Sequence, residues 1–273
     1  MLPVMDGLVK SLTSIYPIVL IAWWRFAIMS TVLLAAIGGA RGWRQFKTRA
    51  PVLQLFRALL VVLATGSFYT GLRTLPLAEC TAIIFLSPAL SAMLGFFVLR
   101  ERPSRLGWCA VCISAIGVFL VTGPLRGDFE ITKLIVLLGA VAHAFFTLIT
   151  RVLAPIDSPQ VTTFWSSLGT FAAFSLVVPV YWDTPQNSDH LFVLLGIGIL
   201  GTIGQLLFSN AFRHGYTHVI APLSYLSLPT AVFVGLLMFG ERLNIYSVAG
   251  IALILFSAIL VALGHTTKTL HTG

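Results

Sequence analysis

Charge is what this chain lacks. Only 10% of its 273 residues are Asp, Glu, Lys or Arg and 58% are apolar, where a soluble domain carries about 25% charged residues, so a water-soluble globular fold is excluded. Long polar stretches are missing too. The longest charged connection runs from Arg41 to Pro51 and only a short tail follows Gly264, leaving no room for a separate catalytic domain. There is no G-x-x-x-x-G-K-[ST] loop for a nucleotide, no H-E-x-x-H and no paired acidic motif for a metal-bound diphosphate. The three cysteines, Cys80, Cys109 and Cys112, lie in apolar surroundings and form no disulfide framework. The Cys109 to Cys112 spacing has no second ligand pair and is read as packing. No cofactor is called for.

What is present is apolar helix. A hydrocarbon core about 30 Å thick takes about 20 helical residues to cross, and the chain divides into nine such spans: Tyr16 to Ala40, Val52 to Gly71, Glu79 to Leu99, Leu106 to Thr122, Ile131 to Leu153, Val161 to Tyr181, Leu191 to Phe212, Val219 to Phe239 and Ile245 to Gly264. The formal net charge of +8 does not point to nucleic acid. The basic residues cluster at span ends, with Arg41, Arg44, Lys47 and Arg49 in one connection and Arg100, Arg102 and Arg105 in another, as the positive-inside rule expects of cytoplasmic loops. The turns at Leu72 to Ala78 and Pro124 to Glu130 then face outward. Met1 to Leu12 is apolar yet too short to cross; it reads as the later part of a first span whose beginning is missing, with Asp6 and Lys10 one turn apart and spaced to pair.

The two halves resemble each other. Shifted by 140 residues, Gly71 to Pro124 falls on Ala211 to Gly264, so that Arg73 meets Arg213, Ser87 meets Ser227, Gly95 meets Gly235, and Glu101 and Arg102 meet Glu241 and Arg242. Pro88 and Pro229 interrupt the same span of each half. With five spans per half, an odd number, the second copy enters the membrane upside down. Two copies of opposite topology and nearly equal energy can exchange shapes around a midplane site, which is the architecture of a secondary transporter.

These residues resemble a known family. Gly204-Gln-Leu-Leu-Phe-Ser-Asn-Ala-Phe-Arg-His, followed by Ala221-Pro-Leu-Ser-Tyr and Phe239-Gly-Glu-Arg, is similar to the second repeat of EamA-type transporters of the drug/metabolite transporter superfamily. Leu75-Pro-Leu-Ala-Glu, Ser87-Pro and Leu99-Arg-Glu-Arg resemble the first repeat. The resemblance implies an all-α polytopic membrane protein, a ten-helix inverted-repeat (5+5) bundle with a shortened first helix. Its first repeat spans residues 1–124 and its second 131–264, with a cytoplasmic tail at 265–273. It also implies a central cavity and movement of small organic metabolites across the cytoplasmic (inner) membrane of a bacterium.

Ionisable groups inside a span are costly and mark candidate sites. Arg25 lies about nine residues into its span, roughly 13 Å deep at about 1.5 Å per residue, beside Trp23 and Trp24. A guanidinium there suits a substrate carboxylate, with an indole as stacking face; a buried pair with Asp6 or Glu79 is the competing role. His143, near mid-span, is a ligand contact or a neutral histidine bonded to a neighbouring helix. Tyr69, Ser87, Trp165, Gln205, Asn210, Tyr225 and Ser227 add hydrogen-bonding groups that serve either recognition or helix packing. Asp6, Glu79, Pro88 and Pro229 are candidates for gating or coupling, Glu79 reading first as a helix-start charge. Gly198, Gly201 and Gly204 at spacing three serve close packing. Glu101 with Arg102, and Glu241 with Arg242, fix loop ends.

The resulting reading is a secondary transporter for a small anionic or zwitterionic molecule with a flat or apolar part: an amino acid, a nucleoside-like metabolite or a vitamin. Its partners are that molecule and the lipid bilayer, with no nucleic acid. Proton coupling through Asp6 or Glu79 and uncoupled exchange both remain open, as do monomer and homodimer. The alternative is an intramembrane enzyme acting on lipid or isoprenoid substrates, for which the metal and acidic motifs are missing.

Overall fold

The computed structural model of the chain describes residues 2–41, 46–98, 105–123, 130–185, 187–214 and 226–269, with side chains described there except at 36–41, 105, 208–214 and 261–269. Helix dominates, and no strand occurs among the described residues. In chain order the helices are α1 Leu2–Thr13, α2 Ile18–Arg41, α3 Pro51–Thr74, α4 Leu77–Ile84, α5 Ser87–Val98 and α6 Arg105–Thr122. The second half holds α7 Ile131–Leu153, α8 Pro159–Val177 with a 3-10 turn at Val178–Tyr181, α9 Ser188–His214, α10 Ser227–Phe239 and α11 Ile245–Thr269. Proline opens α3 and α8 at the first helical position, where the missing amide costs nothing.

Six segments are long and apolar enough to cross a membrane: Ile18–Ala35, Pro51–Thr74, Leu77–Val98, Ile131–Leu153, Pro159–Tyr181 and Ser188–Leu207. The apolar stretches Leu106–Thr122, Ser227–Phe239 and Ile245–Leu260 are shorter. Large apolar side chains face outward along these helices, as Leu55, Leu59 and Leu63 do on one face of α3. Such a surface is stable only against lipid.

The crossing expected as one helix from Glu79 to Leu99 is two. Pro88 carries no amide and its ring clashes with a carbonyl one turn back, so helix cannot run through it unbroken. Phe85 donates to the Thr81 carbonyl at 3.1 Å, Leu86 to that of Ile83 at 3.1 Å, and α5 restarts with Leu90 on Leu86 at 3.0 Å.

Helix positions follow the shift of 140 residues: α2, α3, α5 and α6 superimpose in number on α8, α9, α10 and α11 to within three residues at their starts. The neighbours follow as well. Helix α2 packs on α9 as α8 packs on α3, and α5 packs on α7 as α10 packs on α1. Helices α2 and α8 meet each other, and so do α6 and α11. The latter crossing is close enough that a Cβ on Gly117 would lie 2.8 Å from the Gly250 carbonyl oxygen. The core is a continuous cluster including Met5, Leu20, Ile21, Tyr69, Leu72, Ile83 and Ile197, which α1, α2, α3, α4 and α9 share.

Candidate functional site

Helix α2 carries Trp23, Trp24, Arg25 and Phe26 into the bundle. Arg25 Nη1 donates to the Tyr69 hydroxyl of α3 at 2.9 Å, and its Cζ lies 5.2 Å from the Phe26 ring centre and 6.0 Å from that of Tyr69. Arg25 Nε and Trp24 Nε1 are both buried and without a hydrogen-bond partner. Trp23 is satisfied: its Nε1 donates to Ser175 Oγ at 2.9 Å, and its ring packs on Phe171 and Trp182. Helix α9 makes room for this arginine through Gly201, where an added Cβ would sit 2.9 Å from Met5 Sδ and 3.3 Å from Arg25 Nε. The flanking Gly198 and Gly204 take Ile28 and Leu2 in the same way. Asp6 on α1 interacts electrostatically with Arg25, but among the described residues no carboxylate lies within ion-pair distance of Arg25.

A second polar group centres on α7. His143 Nδ1 shares a hydrogen bond of 3.0 Å with Ser87 Oγ, the first residue of α5 after the break. Beside it, Arg57 of α3 is buried at 4% exposure. Its Nε donates to Thr150 Oγ1 at 2.9 Å, and its Nη1 to the Thr162 carbonyl at 2.6 Å and to Ser166 Oγ at 2.5 Å. The Phe146 ring covers its Cζ at 4.3 Å. The sequence does not single out Arg57, which lies six residues after the start of α3, close enough to the span end to read as a snorkelling charge.

At the α1–α2 end of the bundle, ion pairs join distant helices. Lys10 bonds Glu241 at 2.5 Å and the Leu75 carbonyl at 2.5 Å. This corrects the expected Asp6–Lys10 pair: Lys10 turns to Glu241, and Asp6 faces Arg25. Gly240, at φ 63°, makes the left-handed turn that brings Glu241 back over the bundle, where Glu241 Oε2 accepts the Leu77 amide at 2.9 Å. That amide opens α4 behind Pro76, so the carboxylate satisfies an otherwise orphaned helix donor. Glu79, in the first turn of α4, takes Ser247 Oγ at 2.6 Å and Lys133 Nζ at 3.7 Å; neither Arg25 nor Arg73 is its counter-ion.

The opposite end is tied by Asp157, in the α7–α8 connection. Its carboxylate accepts from Thr48 Oγ1, from the Arg49 amide at 3.2 Å and from Gln54 Nε2 at 2.9 Å. Burial alone would raise this carboxyl, but these bonds and the Arg49 charge outweigh it and hold it below its ordinary value of 3.8. The Trp165 indole donates to the Phe46 carbonyl at 2.7 Å, so it anchors the α2–α3 connection that also holds Thr48 and Arg49. Gln205 is half-buried on α9; Ser227 opens α10, with Pro229 exposed two residues on, and Pro88 is exposed at the start of α5. The Asn210 side chain, Tyr225 and Glu101 with Arg102 lie outside the described residues.

A helical bundle with apolar side chains on its outer faces and polar ones turned inward is the form of a multi-pass membrane protein. The EamA-like transporter family model matches residues 5–123 and again 131–263, and the chain belongs to that family. It is 26% identical over 235 residues to an S-adenosylmethionine uptake transporter of Rickettsia prowazekii (strain Madrid E), covering 86% of this chain and 79% of that protein. It is 24% identical over 270 residues to the pseudopaline exporter CntI of Pseudomonas aeruginosa (strain UCBPP-PA14), covering 97% and 92%. It is 25% identical over 250 residues to a riboflavin transporter of Rhizobium johnstonii (strain DSM 114642 / LMG 32736 / 3841), covering 90% and 81%. A solved crystal structure shares the fold with TM-score 0.66 at 19% identity, covering 96% of this chain and 95% of that one. Membership makes the protein a small-molecule transporter rather than an enzyme.

Proposed function

We propose that the protein is a secondary transporter of the bacterial inner membrane that moves a small acidic or zwitterionic metabolite by alternating access, and that Arg25 binds the acidic group. The observation that carries this reading is the pair of buried, unpartnered donors on α2, Arg25 Nε and Trp24 Nε1. Donors buried without acceptors cost free energy unless a ligand supplies the acceptor. Tyr69 holds the guanidinium in place, and the neighbouring indole offers a flat face. The named relatives, which differ in solute and direction, support a metabolite of this size class without choosing among an amino acid, a nucleoside-like compound and a vitamin.

The two halves form inverted repeats in this proposal. Lys10–Glu241 and Glu79–Lys133 close the outer end, and the turn at Phe85–Leu86 lets α4 and α5 move separately. Asp6, beside Arg25, is the acid best placed for proton coupling. The test is counterflow in proteoliposomes with S-adenosylmethionine, riboflavin and the common amino acids, comparing the native protein with Arg25→Gln. Saturable counterflow of at least one compound, lost in Arg25→Gln although the variant folds, is the expected result. Undiminished transport by that variant removes Arg25 from the site.

A further inference from the structure

We propose that Arg57 is a second anion station, which takes the carboxylate of the transported molecule at the opposite end of the bundle from Arg25. The inference rests on the transport reading above. A guanidinium buried in a membrane bundle is expensive, and one without a carboxylate partner is a candidate for an anion that comes to it. The described acids near the bundle interior are committed elsewhere: Asp157 to Thr48, Arg49 and Gln54, Glu79 to Ser247 and Lys133, Glu241 to Lys10 and Leu77, and Asp6 to the field of Arg25. Among the described residues no carboxylate lies within ion-pair distance of Arg57.

What holds Arg57 is neutral: the Thr150 and Ser166 hydroxyls, the Thr162 carbonyl and the face of Phe146. These groups engage Nε and Nη1, while Nη2 makes no hydrogen bond among the described residues. The fork is therefore fixed in direction but half used, which suits a carboxylate arriving at its open side. Arg57 and Tyr69, the residue that holds Arg25, are twelve residues apart on α3, about 18 Å along the axis at about 1.5 Å per residue. That is longer than a small metabolite, so the two arginines serve as successive stations rather than two ends of one site. His143 lies within electrostatic reach of Arg57 and hydrogen-bonds Ser87 at the α4–α5 break. Occupation of this station is thus felt at the turn where the helix is interrupted.

The test measures thermal unfolding of the full chain in detergent with benzoate, with its uncharged counterpart benzamide, and with sodium chloride at matched ionic strength; a ligand of the native state raises the midpoint. The expected result is a benzoate-specific rise in the native protein that is reduced but still present in Arg25→Gln and absent in Arg25→Gln/Arg57→Gln. Complete loss in Arg25→Gln alone overturns the Arg57 station and leaves Arg25 as the sole anion site. A rise untouched by Arg25→Gln and abolished by Arg57→Gln supports the station while removing Arg25 from binding. No benzoate-specific rise in the native protein, or one that neither substitution alters, overturns the station. Should Arg57→Gln not fold, Arg25→Gln/Arg57→Lys retains the charge without the fork. Its half-saturating benzoate concentration is then expected to increase at least fivefold over Arg25→Gln, and an unchanged value overturns the proposal.

Discussion

Arg25 is an ion in a place where ions are expensive. Its only hydrogen bond among the described residues goes to a neutral hydroxyl, so its charge is available to a ligand. Removing one member of a buried, hydrogen-bonded charge pair costs about 2 to 5 kcal/mol. Arg25→Gln is therefore expected to weaken carboxylate substrates at least about thirtyfold, since about 1.4 kcal/mol is a factor of ten, with little change for an uncharged analogue. Inhibition constants for a matched acid and amide pair measure this, and equal losses for both would show that Arg25 shapes the cavity without binding the acid. Arg25 was legible in the sequence because one cation interrupts a long apolar run. Arg57 was not, since a basic residue near a span end looks the same whether it snorkels to the surface or turns inward. The Lys10–Glu241 pair was illegible for another reason: its partners are far apart in sequence, and helical spacing favoured the nearer Asp6.

Helices carry the next layer of the mechanism. Pro88 removes the hydrogen bond that would join α4 to α5, and the turn at Phe85–Leu86 is what remains. Pro88→Ala restores the amide, so a stiffer helix with a higher melting temperature and a transport rate reduced severalfold is expected; a faster variant would show that the break is not a hinge. Proline in the sequence signalled an interruption, but its size depended on whether neighbours satisfy the freed carbonyls, which a single sequence does not display. At the other end, Asp157 ties the segment after α2, the start of α3 and the α7–α8 connection together through its carboxylate. The sign of its pH dependence follows from the depressed folded-state value: its stabilisation is fully present above the unfolded carboxyl's value of 3.8 and is lost as pH falls through the lower folded value. Asp157→Asn should lower the melting temperature at pH 7. The gap between variant and native protein should narrow below pH 4, as the native carboxyl takes up its proton. A gap independent of pH would mean that shape, not charge, makes the tie.

Taken whole, the chain has helix positions that repeat at a shift of 140 residues and contacts that repeat with them. Composition made the membrane class plain, and the paired Glu-Arg corners made the duplication plain, because both are written in residue type and spacing. The ion pairs at one end were not, since they depend on which helices meet. The proposed inversion follows from parity: an odd number of crossings between equivalent points of the sequence would put the Glu101–Arg102 and Glu241–Arg242 corners on opposite faces of the bilayer. Basic residues favour the first of these sides. In the proposed topology the pairs of Lys10 with Glu241 and of Lys133 with Glu79 would relieve the cost of cations on the outward face. Reporter domains active only inside or only outside the cell, fused after each corner, should give opposite signals. Like signals would remove the inversion, and with it the exchange of shapes between halves on which alternating access depends. The Lys10–Glu241 contact would then be a static clasp, and Glu241→Gln would change stability while leaving transport untouched.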